Sequence, residues 1–120
     1  MSARILLIED TEDLGEMIRD ILAIKRYDVR WAKDGESGLQ FYIENKPDLI
    51  ITDVVMPKLN GLDVVRKIRA MEGKHQTPII VLSARASPED QLIALEAGAT
   101  IYITKPCSTT RLINSVQSLL

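Results

Sequence analysis

Apolar residues along the chain follow two rhythms that take turns. Short continuous runs recur at Ile5-Leu6-Leu7-Ile8, Val29-Arg30-Trp31, Leu49-Ile50-Ile51, Ile79-Ile80-Val81-Leu82 and Ile101-Tyr102-Ile103. Between them the spacing is helical, as in Leu14, Ile18, Ile21 and Leu22, or Leu62, Val65 and Ile68. This pattern predicts five strands alternating with helices, and strand-helix alternation calls for a parallel sheet covered on both faces. Start signals support the helices. Asp34 precedes Gly35-Glu36, Asn60 precedes Gly61, and Ser87-Pro88-Glu89-Asp90 joins an N-cap, a proline at the first helical position and an acidic first turn. The chain carries no fixed-period repeat and no low-complexity tract.

Strand order follows from burial. A strand covered on both faces is continuously apolar, which suits the first, third and fourth runs for the centre. The second is interrupted by Arg30 and followed by Lys33, and around the fifth Thr100, Tyr102 and Thr104 alternate, so these two belong at the edges. Right-handed crossovers then give the order 2-1-3-4-5, an α/β, doubly wound five-stranded parallel sheet of flavodoxin-like (βα)5 arrangement.

Size and charge narrow the possibilities. A length of 120 residues suits one domain over residues 1–120 with a single apolar core. A net charge of -2 supplies no basic footprint for direct contact with nucleic acid or an anionic membrane. Cys107 is the lone cysteine, Met1-Ser2-Ala3-Arg4 opens no apolar leader, and no apolar run is long enough to span a bilayer. The expectation is a cytoplasmic protein with no internal disulfide.

In such a sheet ligands bind beyond the carboxyl ends of the strands, near the switch point between the first and third. The first strand finishes in Glu9-Asp10, the third in Asp53, the fourth in Ser83-Ala84 and the fifth in Lys105-Pro106. Three carboxylates gathered there would repel one another unless a cation joined them. An all-oxygen donor set without histidine or thiolate favours Mg²⁺. Asp53, beside a metal, an ammonium and a hydroxyl, is equipped to attack a phosphoryl group and hold the acyl phosphate. Taken singly, each of these residues suits an ordinary strand end or helix cap. Their coincidence on one rim argues for chemistry.

Over essentially its whole length the chain resembles the receiver domains of two-component response regulators. The resemblance is carried by Ile8-Glu9-Asp10, Asp53-Val54-Val55-Met56-Pro57 with Gly61, Ser83-Ala84 and Lys105-Pro106. It implies that a sensor histidine kinase or histidine phosphotransfer protein phosphorylates Asp53. By the same resemblance Glu9, Asp10, Asp53 and the backbone carbonyl of Val55 hold Mg²⁺, Lys105 contacts the phosphoryl group, and Ser83 and Tyr102 are the switch residues. Pro106 matches a proline that follows a cis bond. The face of the fourth helix, fifth strand and fifth helix is expected to bind a downstream protein. Phosphorylation is expected to draw the Ser83 hydroxyl toward the phosphoryl oxygens and Tyr102 inward.

The chain departs from the family pattern in three places. Cys107 stands where a bulky aromatic usually follows the proline. The fifth strand opens with Ala99-Thr100-Ile101 in place of an acidic pair, which argues against a winged-helix type of output. Lys25-Arg26-Tyr27 replaces the glycine expected between the first helix and second strand.

Other residues fit simpler roles. Cys107 suits a small buried filler, Trp31 and Phe41-Tyr42 core or near-core positions, and Arg66-Lys67 with Arg69 the wet face of the third helix. His75 draws no role, and Arg85 either stays solvated or reaches across the pocket mouth. The rival class is an aspartyl-phosphate phosphatase of haloacid-dehalogenase type. Such enzymes resemble a pattern with a second Asp two residues after the nucleophile, where this chain has Val55, and 120 residues leave no room for a cap over a substrate.

Overall fold

In the computed structural model, which describes every residue except Met1, Pro57 and His75, strands and helices alternate from one end to the other. They run β1 (Arg4–Ile8), α1 (Glu12–Ile24), β2 (Asp28–Ala32), α2 (Gly35–Asn45), β3 (Leu49–Thr52), α3 (Gly61–Glu72), β4 (Ile79–Ser83), α4 (Pro88–Ala97), β5 (Ile101–Thr104) and α5 (Thr109–Leu119). The sheet is parallel throughout, in the order β2-β1-β3-β4-β5 expected from the run composition.

Successive side chains of a strand point to opposite faces, so each central strand feeds two cores. Leu6, Ile8, Ile50, Ile79, Val81 and Tyr102 meet Tyr42 of α2, Val64, Val65 and Ile68 of α3, and Ala94 of α4. Ile5, Leu7, Leu49, Ile51, Ile80, Leu82 and Ile103 meet Ile18 and Leu22 of α1, with Leu112 and Val116 of α5. The continuous runs are thereby explained: β1, β3 and β4 need apolar side chains on both faces, and truncating one such isoleucine to alanine costs about 2–5 kcal/mol. The edge strands are the less buried ones, as their interrupted sequences indicate.

The helix starts also follow the sequence. The side chains of Asp34, Asn60 and Ser87 accept the backbone N–H groups of Ser37, Asp63 and Asp90. Ser108 caps α5 in the same manner, accepting from Arg111.

Two polar groups lie elsewhere than their sequence suggests. Arg69 is not on the wet face of α3: its side chain is largely buried, with Nε donating to the Gly98 carbonyl at 2.9 Å and Nη1 to Glu72 at 2.6 Å. Arg66 and Lys67 are exposed, as expected. Cys107 is only half-buried, because it lines an apolar groove of about 360 Å³ between α1 and α5, with Leu14, Met17, Ile21 and Leu112. No helix among the described residues is long and apolar enough to cross a membrane.

Candidate phosphoacceptor site

The register brings the strand ends level. Ile8 lies opposite both Ala32 and Thr52, Thr52 opposite Val81, and Ser83 opposite Thr104. The residues that follow therefore emerge side by side at the carboxyl rim. Beyond the strand ends the ladder continues by single bonds: Glu9 N–H to the Ala32 carbonyl (3.0 Å), Asp53 N–H to Ile8 (3.1 Å) and Lys105 N–H to Ser83 (2.7 Å). These bonds extend the hydrogen bonding of the sheet into the backbone of the candidate site.

Lys105 is the centre of the arrangement. Its Nζ donates to Asp53 Oδ2 at 2.7 Å and to Glu9 Oε1 at 2.9 Å. The other Asp53 oxygen, Oδ1, accepts the Val54 N–H at 2.6 Å, and Glu9 Oε2 accepts the Thr11 N–H at 3.2 Å. Glu9 is 1% exposed and the Asp53 residue 9%, whereas Asp10 is exposed. Burial pushes the Glu9 carboxyl above its ordinary value, only partly opposed by the bonded Lys105. Burial also pulls on Lys105, but its bonds to Asp53 and Glu9 outweigh that and hold the ammonium above its usual range. Lys105 is thus a fixed positive charge, and it relieves part of the repulsion expected from the carboxylates alone.

Asp10 completes the cluster. One carboxylate oxygen from each of Glu9, Asp10 and Asp53 lies within 4.8 Å of the others. Hard oxygen donors, two buried and one open to water, fit a small divalent cation that keeps part of its hydration shell.

The β3–α3 loop needs glycine at one point. A Cβ on Gly61 would lie 1.7 Å from the Asp53 carbonyl oxygen, and Gly61 N–H bonds to the Val54 carbonyl at 2.8 Å. The start of α3 is therefore seated directly on the backbone that carries Asp53. Val55 is exposed two residues on, while Pro57, part of the motif read in the sequence, lies outside the described residues, as does His75.

On the β4 side, Ser83 is buried and its Oγ accepts the Arg85 N–H at 3.2 Å; among the described residues the hydroxyl donates to no partner. The Tyr102 hydroxyl donates to the Arg85 carbonyl at 2.6 Å, and the residue is 9% exposed. Tyr102 is therefore already inward, where the sequence suggested that phosphorylation would bring it. Arg85 serves both neighbours through its backbone, and its side chain is exposed. The Lys105-Pro106 bond is cis, as expected.

Trp31, which the sequence suits to packing alone, also has a polar role: its indole Nε1–H donates to the Glu9 carbonyl at 2.8 Å. An aromatic at the end of an edge strand beside the acidic pair was the available signal.

The chain matches the response regulator receiver domain model over residues 5–117, and it belongs to that family. It is 40% identical over 117 residues to the transcriptional regulatory protein RprY of Bacteroides fragilis, covering 98% of this chain and 49% of that one. With PrrA of Mycobacterium tuberculosis the identity is 39% over 119 residues, 99% of this chain and 50% of the relative. Among solved structures, the chemotaxis response regulator CheY4 of Vibrio cholerae superposes with a TM-score of 0.93 at 30% identity, covering both chains completely. The chain spans about half the length of the curated relatives it matches. Both relatives are transcriptional regulators by name. The fifth strand begins at Ile101, so Ala99 and Thr100, read from the sequence as its opening, precede it. The phosphatase alternative finds no support in these similarities.

Proposed function

We propose that this receiver domain is switched by phosphorylation of Asp53, and that a sensor histidine kinase or histidine phosphotransfer protein supplies the phosphoryl group. The carrying observation is the Asp53 carboxylate held 2.7 Å from the Lys105 ammonium, within reach of the Glu9 and Asp10 carboxylates.

A carboxylate oxygen of Asp53 attacks phosphorus as the phosphorus–nitrogen bond of the phosphohistidine breaks, and the departing imidazole takes up a proton. Glu9, Asp10 and Asp53, with the Val55 carbonyl, would hold Mg²⁺, which supplies charge neutralisation for the carboxylates and the phosphoryl oxygens. Lys105 carries fixed positive charge to the transferred group. Ser83 has a hydroxyl proton to donate to a phosphoryl oxygen. A shift of the Ser83-Arg85 loop reaches Tyr102 through the Arg85 carbonyl, and so the α4-β5-α5 face on which a downstream protein would dock. On this reading the chain is a regulated switch, and its only reactions are its own phosphorylation and dephosphorylation.

The test is labelling with a small acyl-phosphate donor, read by intact mass. One phosphoryl group is expected in the presence of Mg²⁺ and none on Asp53→Asn. Equal labelling of the variant, or labelling indifferent to chelation of divalent metal, overturns the assignment. Multiple turnover of unrelated phosphomonoesters would instead favour the phosphatase class.

A further inference from the structure

Asp10 presents a difficulty that the rest of the site does not. Glu9 is fixed by Lys105 and Thr11, and Asp53 by Lys105 and Val54. The Asp10 carboxylate accepts no hydrogen bond among the described residues, and it is exposed. With no partner to hold it, the carboxylate can reach only where its backbone places the Cα–Cβ bond, and that placement depends on the Glu9–Asp10 peptide.

That peptide has left the strand. The Glu9 N–H still bonds to Ala32, but the Glu9 carbonyl accepts the Trp31 indole N–H at 2.8 Å. The indole is held in turn from several sides. It lies on the bare backbone of α1 at Gly15, where a Cβ would fall 2.2 Å from Cζ2 and 2.8 Å from Nε1. The Arg19 guanidinium stands 5.5 Å and the Lys33 ammonium 5.0 Å from the ring centroid, and Lys33 is paired with Glu12 of α1. A ring fixed by β2, by α1 and by two cations has little freedom, so its N–H holds the carbonyl in one orientation.

We propose that Trp31 is a positioning residue for the Asp10 carboxylate, acting through the Glu9–Asp10 peptide; this rests on the reading of Glu9, Asp10 and Asp53 as a Mg²⁺ site. The indole N–H preorganises the exposed member of the carboxylate set through the backbone, and the ring is not itself one of the carboxylate donors.

The experiment replaces Trp31 by 3-benzothienylalanine, which keeps the bicyclic shape and lacks the N–H, and measures Mg²⁺ binding by calorimetry on the full chain. Binding is expected to weaken about three- to tenfold, while the urea midpoint falls by no more than the loss of one hydrogen bond explains and the protein stays folded under the binding conditions. The ¹⁵N resonance of Asp10, which belongs to the same peptide, is expected to move. Incorporation of 7-azatryptophan, which retains the N–H, should restore wild-type affinity. Gly15→Ala, which displaces an intact indole, gives a second route to the same loss. Wild-type affinity in the benzothienylalanine protein overturns the role of Trp31. Absence of Mg²⁺ binding by the wild type, or undiminished binding by Asp10→Asn, overturns the metal site and this role with it.

Discussion

Val55 lies two residues after Asp53, the proposed acceptor, and is 56% exposed. Valine can neither donate to nor accept from a water approaching a phosphoryl group there. Hydrolysis of an acyl phosphate requires that water to be aligned with the departing carboxylate. Val55→Asn is expected to shorten the phosphoryl lifetime about tenfold, which corresponds to about 1.4 kcal/mol of barrier. Phosphate release after removal of the donor, at equal Mg²⁺, measures it; an unchanged or longer lifetime shows that water access is not set at this position. Glu72, at the opposite end of the molecule, illustrates a charge kept for stability. Its side chain is 2% exposed and accepts from Tyr42, Arg69 and Thr77. Burial alone would raise its carboxyl, but the bonds from Thr77, Tyr42 and Arg69 outweigh burial and hold it below the ordinary range. Its contribution is thus complete above the unfolded-state value and lost as pH falls through the lower folded-state value. Glu72→Gln is expected to cost about 2 kcal/mol at neutral pH, with the difference from wild type shrinking in acid. Urea unfolding of both proteins over a pH series checks this. The same carboxylate acts on its neighbour: burial first, then the bond to Glu72, pushes the Tyr42 phenol up to about 12.

At the scale of elements, the turn between α1 and β2 carries a strain that one substitution can relieve. Arg26 adopts φ of 71°, the left-handed region in which a side chain costs about 1–2 kcal/mol and glycine costs far less. The added freedom of glycine in the unfolded chain offsets part of this gain. Arg26→Gly is expected to stabilise by about 0.5–1 kcal/mol, raising the thermal midpoint by a few degrees. Calorimetry decides, and a lower midpoint shows that the Arg26 side chain contributes more than its backbone costs. The elements were the most legible part of the sequence, because their causes are local or periodic. The runs at Ile5, Leu49 and Ile79 announce buried strands, and Asp34, Asn60 and Ser87 announce caps. The site residues were legible because parallel strands deliver their carboxyl ends to one rim. What escaped is what depends on pairs distant in sequence. Arg69 looks solvent-facing until Gly98, 29 residues on, is placed beside it, and the polar role of Trp31 exists only once β2 lies against the end of β1.

Across the whole molecule, the question is how a charge added at Asp53 reaches the α4-β5-α5 face. The path visible in the structure is short: the Ser83 hydroxyl, the Arg85 backbone and the Tyr102 hydroxyl are joined by bonds of 3.2 and 2.6 Å. With Tyr102 already buried, phosphorylation is expected to tighten this chain more than to swing the ring. Moving a two-state equilibrium from 1:99 to 99:1 requires about 5.5 kcal/mol of differential interaction, within reach of a phosphoryl group bonded to Lys105, Ser83 and a divalent cation. Amide resonances of Ser83, Arg85 and Tyr102 are expected to shift on phosphorylation, with smaller shifts in β2. Silence at all three positions removes the mechanism. The ion pair of Lys105 with Glu9 joins residues 96 apart in sequence, and this has a bearing on when the molecule becomes competent. On the ribosome Asp53 emerges well before Lys105 does, so an unfinished chain exposes this aspartate without the ammonium paired with it in the folded protein. On the proposed function, a kinase meeting a nascent chain would find no finished target, and competence to receive a signal would arrive with the residue that follows the last strand.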